Sequence, residues 1–104
     1  MYLHMTVAKV MPEKVWEAIQ VLKKQACQPG SPEIQGLCQA IFIESQEEPG
    51  RVIWLSAWET LADSQTFLSS PRYADLVAEV RPYLLREPEW YRYSVLEDLT
   101  IKQE

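Results

Sequence analysis

Three ionisable side chains of this sequence have the chemistry that a catalytic site needs. His4 is the single histidine of the chain, and because histidine exchanges a proton near neutral pH it is a candidate general base. Tyr73 could donate a hydrogen bond to a carbonyl group, and Arg92 could stabilise an anion or an enolate. Each has a structural alternative: a surface histidine, a tyrosine on the core face of a helix, and an arginine paired with a carboxylate.

Two tryptophans could add an aromatic wall beside these groups. Trp54 and Trp58 lie four residues apart on one face of a predicted strand, and a flat ligand stacks well on such side chains. Trp58, at the end of the strand, is the better placed of the two for the rim of a pocket. Packing in the core or in a dimer interface is the alternative interpretation for both.

The composition disfavours several other kinds of function. Fifteen acidic against ten basic residues give a net charge of -5, so we expect no binding to nucleic acid or to a membrane. The single histidine and the two cysteines offer no metal-binding set. Cys27 and Cys38 are predicted to be buried small side chains, with a disulfide or a reactive role as the alternative. The sequence shows no signal peptide and no long apolar run, and we expect a cytoplasmic protein.

The spacing of the apolar residues predicts the elements that position these side chains. Alternating or continuous apolar residues predict strands, and apolar residues three and four apart predict helices. The hydroxyls of Thr60 and Ser70 can cap helices, and Pro71 fits a first helical position. The predicted order is a strand at 2–10, a helix at about 12–27, strands at 36–44 and 51–59, short helices after residues 60 and 70, and a strand at 89–96.

This order is that of the ferredoxin-like fold, an α+β arrangement of β-α-β-β-α-β with a four-stranded antiparallel sheet and its helices on one face. Residues 1–104 are predicted to form a single domain. The second and third strands are apolar on both faces, whereas a face in contact with water would carry polar residues at alternate positions. We therefore expect a homodimer in which two sheets meet face to face and close a dimeric α+β barrel.

Three short motifs allow a comparison with a known family. They are W-E-T at residues 58–60, F-L-S-S-P-R-Y at residues 67–73 and the aromatic strand W-Y-R-Y at residues 90–93. With these motifs the chain resembles the dimeric α+β barrel proteins of the antibiotic-biosynthesis monooxygenase type. The resemblance implies a pocket between the sheet and the helices. Members of the family include cofactor-free monooxygenases that act on quinols and polyketide-like aromatics, and haem-degrading enzymes.

The haem-degrading branch is distinguished by three residues that this chain lacks. It places an asparagine on the first strand, a tryptophan on the helix after the third strand and a histidine one helical stretch later. Those positions fall on Thr6, Phe67 and Val77 of this sequence. Because valine has no atom that can ligate iron, haem degradation is disfavoured.

The resemblance therefore implies a cofactor-independent monooxygenase that acts on a small aromatic or quinol-like compound. The alternative is a non-catalytic dimer on the same fold that binds a small apolar or aromatic ligand or serves a stress response. The enzyme needs groups that take a proton and stabilise the resulting anion away from water, and the candidates are His4, Tyr73 and Arg92. The predicted pocket residues are Thr6, Trp54, Ser56, Trp58, Phe67 and Val77.

Overall fold

The computed structural model describes residues 1–26 and 34–99. Its elements are β1 (Tyr2–Lys9), α1 (Val15–Ala26), β2 (Leu37–Glu44), β3 (Arg51–Trp58), α2 (Leu61–Leu68), α3 (Pro71–Val80) and β4 (Glu89–Ser94). Short 3-10 turns precede α1 at Pro12–Lys14 and follow α3 at Arg81–Tyr83. The strands form one sheet in the order β2-β3-β1-β4, and each neighbouring pair is antiparallel. The predicted ferredoxin-like α+β fold is confirmed. None of the helices in these ranges is long and apolar enough to cross a membrane.

The starts of α2 and α3 have the capping that the sequence predicts. Thr60 Oγ1 accepts a hydrogen bond from the amide of Asp63 at 3.1 Å, and Ser70 Oγ accepts one from the amide of Tyr73 at 3.2 Å. Each hydroxyl satisfies an amide that the start of a helix leaves without an intrahelical partner. Pro71 begins α3, so Tyr73 lies in its first turn.

The helix-covered face of the sheet carries alternate residues of every strand, because successive side chains of a strand point to opposite faces. The register pairs Thr6 with Trp54 on β3 and with Trp90 on β4. Two residues earlier on β1, the register pairs His4 with Ser56 and with Arg92. Directly paired residues share a face of the sheet. Two rows of side chains therefore run from β3 across β1 to β4. The first row is Trp54, Thr6 and Trp90, and the second is Ser56, His4 and Arg92.

The hydrophobic core lies between this face and the helices. α1 and α3 pack against each other over the sheet, and α2 adds Phe67 beside the tryptophans of β3. The buried residues of the core cluster are Val10, Val15, Ala18, Ile19, Leu22, Val52, Trp54, Trp58, Phe67, Leu76 and Val80.

The opposite face of the sheet is apolar and partly exposed. Ile41 and Ile43 of β2 are 39% and 44% exposed, and Tyr91 and Tyr93 of β4 are 42% and 47% exposed. The register brings Ile41 beside Leu55 on the neighbouring strand. This is the second apolar face that the strand pattern predicts. A monomer that exposes such a surface has a candidate interface.

Cys38 is exposed, so its predicted burial is wrong. The pairing of β2 with β3 changes register between Leu37 and Gln39, and Cys38 is the extra residue of the resulting bulge. Because β2 is an edge strand, the bulged residue turns towards solvent, and its thiol lies 3.5 Å from the carbonyl oxygen of Gly36. Cys27 lies outside the described residues.

Candidate functional site

A small cavity of about 70 Å³ lies between the sheet and the helices. On the sheet side it is bounded by Thr6, Ala8, Val52 and Trp54. The helix side comprises Ala18, Ile19 and Leu22 of α1 with Tyr73, Leu76, Val77 and Val80 of α3, and all of these except Tyr73 are apolar. At the mouth lie Arg81, Leu84, Glu87, Pro88 and Trp90.

The cavity exists because small side chains of β1 lie between large ones of its neighbours. Thr6 is paired with Trp54 on one side and Trp90 on the other, and the next residue of β1 on this face is Ala8. Adjacent strands are about 4.8 Å apart, so the two indoles rise from backbones roughly 10 Å apart with only a threonine between them. The space above Thr6 and Ala8 is therefore left unfilled.

Three hydrogen-bonding groups border this apolar space. The Nε1–H of Trp54 is buried and has no hydrogen-bond partner among the described residues. Thr6 and Tyr73 also line the cavity, and no hydrogen bond joins either hydroxyl to another residue in the described ranges. A buried N–H without an acceptor is uncommon, since it costs about 1–3 kcal/mol in desolvation. Three residues that carry hydrogen-bond donors thus border the cavity.

Tyr73 is held in place by an aromatic cluster. Its ring lies edge to face with that of Phe67, with 5.4 Å between the ring centroids. The centroid of Phe67 also lies 6.3 Å from that of Trp54 and 5.6 Å from that of Trp58. Burial raises the pKa of the Tyr73 hydroxyl above its usual value of 10.0. The phenol therefore stays protonated at neutral pH and can act as a hydrogen-bond donor.

A second, much narrower crevice of about 10 Å³ lies at the other end of the same sheet face. It is bordered by His4, Arg92, Trp58 and Ser64 together with Tyr2, Leu3 and Leu61. The pKa of His4 is lowered from 6.5, first by burial and then by the positive charge of Arg92 opposite it. His4 is therefore neutral at pH 7. A space of this size holds about one water molecule, not an organic substrate.

A hydrogen-bonded network closes this second end. The Nε1–H of Trp58 donates to Ser56 Oγ at 3.0 Å, and the Ser56 hydroxyl donates to the backbone oxygen of His4 at 3.4 Å. Trp58 is 2% exposed and stacks on Phe67. Its polar atom is satisfied by the protein itself, as buried polar groups in structural positions usually are.

The nine residues predicted for the site divide into three groups. Thr6, Trp54, Tyr73 and Val77 line the cavity. The structure does not bring His4, Arg92 or Trp58 into the cavity, because they border the narrow crevice. The two remaining residues, Ser56 and Phe67, line neither space: one belongs to the closing network and the other packs between the two ends.

Trp90 borders the cavity and was not among the predicted residues. The signal that identifies it is the register: once β4 pairs with β1, Trp90 lies opposite Thr6 on the helix-covered face. Its alternation with Arg92 was visible in the sequence, but its neighbour across the sheet was not.

Solved structures of similar fold are found for nearly the whole chain. Several carry the name "putative antibiotic biosynthesis monooxygenase", and three of these serve as examples. The one from Deinococcus radiodurans has a TM-score of 0.79 and 16% identity, covering 99% of this chain and 100% of that chain. The one from Caulobacter crescentus has a TM-score of 0.80, 18% identity and coverage of 92% and 90%. The one from Nitrosomonas europaea has a TM-score of 0.76, 18% identity and coverage of 93% and 100%.

The chain has the fold of the antibiotic biosynthesis monooxygenases. The resemblance carried by the sequence motifs is thereby confirmed at the level of the fold. No protein-family model matches the chain, and no curated protein matches its sequence. Because identities of 16–18% show the fold alone, the chemistry within this monooxygenase fold has to be argued from the cavity.

The three positions that were compared with the haem-degrading branch can be located in the folded chain. Val77 lines the cavity with an aliphatic side chain, Thr6 forms part of its floor, and Phe67 is packed among other aromatic rings. None of the three carries a nitrogen that could ligate iron. That haem degradation is disfavoured stays a prediction from these three positions.

Proposed function

We propose that this protein is a cofactor-independent monooxygenase that binds a small aromatic or quinol-like compound beside Thr6, Trp54 and Tyr73. The observation that carries the proposal is the set of three hydrogen-bonding groups, without partners among the described residues, around one otherwise apolar cavity. Ligand sites are typically apolar with a few polar groups that fix orientation. A phenol or quinone oxygen supplies the acceptor that the Trp54 N–H lacks.

The size of the cavity implies that its mouth opens when a ligand enters. Its volume of about 70 Å³ is smaller than the roughly 300–1,000 Å³ of ordinary small-molecule sites. The most exposed residues at the mouth are Trp90, which is 51% exposed, and the ion pair of Arg81 and Glu87. The inner walls belong to the buried core.

The proposed reaction needs no reductant, since the substrate supplies the electrons. In an anthrone-type compound, loss of a proton from the ring methylene gives a carbanion that is conjugated with an oxyanion. Addition of oxygen at that carbon, followed by loss of water, converts the methylene to a carbonyl: one oxygen atom enters the product and the other leaves with both hydrogens. Protonated Tyr73 and the hydroxyl of Thr6 would stabilise the oxyanion in the water-poor cavity.

The proton acceptor that we propose is Glu87. It is the one carboxylate that borders the cavity within the described ranges. Its ion pair with Arg81 holds it at the mouth, where a proton taken from the substrate passes readily to solvent. His4 and Arg92, the other two predicted catalytic residues, lie at the closed end of the sheet and are assigned no contact with this ligand.

Oxygen consumption tests the proposal directly. We expect uptake above the spontaneous rate with 1,8-dihydroxyanthrone or a reduced naphthoquinone, and Tyr73→Phe should lower kcat about 100-fold if its hydroxyl stabilises the oxyanion. Tyr83→Phe is the matched control, because Tyr83 packs beside the core without lining the cavity. No uptake above the spontaneous rate with any compound of such a panel, from folded protein, would overturn the enzymatic proposal.

A non-catalytic binding protein is the second candidate, and one observation favours it. No buried base borders the cavity among the described residues, since its titratable groups there are Tyr73, Arg81 and Glu87. Such a protein would bind the same aromatic compounds without consuming oxygen. Binding without turnover, measured on the same preparation, distinguishes the two candidates.

We further propose that two copies associate through the exposed apolar face of the sheet. The partly exposed side chains of β2 and β4 on this face support it, and a stable homodimer interface buries on the order of 2,000 Å². Sedimentation at micromolar concentration should show a dimer that Ile43→Glu dissociates. Trp16→Glu, at a 74% exposed position of α1, should leave it intact. A wild-type protein that sediments as a stable monomer would contradict this proposal.

A further inference from the structure

Trp90 is an unusual residue for its position. It lies on the edge strand β4, 51% of its surface is exposed, and it forms part of the cavity mouth. An indole that is half exposed gains little free energy from burial in the folded chain. It would gain much more by covering an apolar ligand, because the burial of apolar surface is favourable by roughly 25 cal/mol per Å².

Trp90 borders the cavity, and its neighbour across the sheet is small. Across the sheet its partner is Thr6, a small side chain, and beyond Thr6 stands Trp54. Trp54 has a ring neighbour in Phe42, stacked at 5.9 Å, and no ring contact of this kind is found for Trp90 within the described ranges. Among the aromatic side chains that line this cavity, Trp90 is thus the one without an aromatic partner in the described ranges.

We propose that Trp90 determines the ligand class by stacking on the face of a planar, fused-ring aromatic compound. The ring lies over Thr6 and Ala8, and its oxygen faces the donors of Trp54 and Tyr73. This inference rests on the proposed ligand site and goes further, because it assigns the selection of planar over saturated ring systems to one residue. Aromatic pairs prefer stacked or edge-to-face contact and gain free energy beyond the burial of their area.

The test compares two probes of similar size, planar 1-naphthol and saturated decahydro-1-naphthol, by isothermal titration calorimetry. Wild-type protein should bind 1-naphthol about three- to tenfold more tightly than decahydro-1-naphthol, in line with the worth of an aromatic pair. Trp90→Leu keeps an apolar side chain and removes the ring, and it should abolish this preference. Trp90→Phe should retain most of it, and Trp16→Leu should leave it unchanged.

Nuclear magnetic resonance separates this inference from the proposed function. The chain has four tryptophans, so each indole N–H can be assigned by substitution. We expect 1-naphthol to shift the Trp54 and Trp90 signals and to leave that of Trp16, and the Trp54 signal should move downfield as its N–H gains an acceptor.

If 1-naphthol shifts the Trp54 signal but Trp90→Leu keeps the full preference for 1-naphthol over decahydro-1-naphthol, the role of Trp90 is overturned. The proposed ligand site is then retained. Binding of 1-naphthol with a Trp90-dependent preference but no oxygen uptake would support this inference and remove the enzymatic proposal. Absence of binding by wild-type protein would overturn both.

Discussion

Trp54 and Trp58 lie four residues apart on the same face of β3, and both are nearly buried, at 6% and 2% exposure. Their polar atoms differ. The N–H of Trp58 donates to Ser56, whereas the N–H of Trp54 has no acceptor among the described residues. Trp58 stacks on Phe67, whereas Trp54 forms a wall of the cavity. Both indoles belong to the core cluster, but only that of Trp58 has a hydrogen-bond partner among the described residues.

The difference comes from the residues that surround each indole. Beside Trp54, β1 contributes Thr6, and the residue that follows on the same face is Ala8. Beside Trp58, β1 contributes Tyr2, and His4 follows. Small neighbours leave a space and large ones fill it, since protein interiors are close-packed. The free space on this sheet face is thus decided by the residues that lie next to each aromatic side chain.

Phe67 separates the two ends, and its removal should have the largest effect. It is 3% exposed and contacts Trp54, Trp58 and Tyr73. Phe67→Ala should lower the free energy of unfolding by about 3–5 kcal/mol and loosen both indoles. Urea denaturation measures this change. Trp16→Ala, at an exposed position, should change stability by less than about 0.5 kcal/mol, and a similarly small value for Phe67→Ala would contradict its central role.

Ser56→Ala should leave the N–H of Trp58 without an acceptor, as the N–H of Trp54 is among the described residues. It removes the acceptor of the Trp58 N–H and should cost about 1–3 kcal/mol of stability, because a buried donor is left unsatisfied. Binding of 1-naphthol in the cavity should be unchanged, since Ser56 does not line it. Denaturation and calorimetry on the same variant check both statements. A loss of binding without a loss of stability would reverse the roles assigned to the two ends.

Thr6→Val tests the open end with a nearly isosteric change. The hydroxyl is lost and the shape is kept, so 1-naphthol should bind about three- to tenfold more weakly, the worth of one neutral hydrogen bond. Stability should change little, because this hydroxyl has no hydrogen bond to another described residue. Thr66→Val is the control: its hydroxyl bonds to Ala62 on the exposed side of α2. Equal affinities for Thr6→Val and wild type would remove Thr6 from the site.

The pH dependence of stability should report on His4, which borders the narrow crevice. It is the smallest of the four expected effects. The pKa of His4 is lower in the folded protein than its usual 6.5, so below that value the unfolded chain binds more protons than the folded one. Stability should therefore fall as the pH decreases from about 6.5. Comparison with His4→Gln isolates this contribution, since the other groups titrate in both proteins. A constant difference between the two from pH 7.5 to pH 5 would contradict it.

Much of the fold could be predicted from local patterns. The element order, the caps at Thr60 and Ser70, and the second apolar face of the sheet all follow from residues close together in sequence, and the structure confirms them. The prediction for Cys38 was wrong because a bulge changes the register at this residue. Whether a strand residue is buried depends on its partner strand, which local alternation does not reveal.

The sequence by itself predicted the ferredoxin-like fold and placed Trp54 and Trp58 on one face of their strand. Only the tertiary structure decided that Trp54 borders the cavity, that Trp58 is closed off by Ser56, and that Trp90 stands opposite Thr6. The physical reason is that the size of a cavity depends on which side chains become neighbours in the folded chain. Residues 6, 54 and 90 are far apart in the chain, and the space between them exists only once three strands are paired in register.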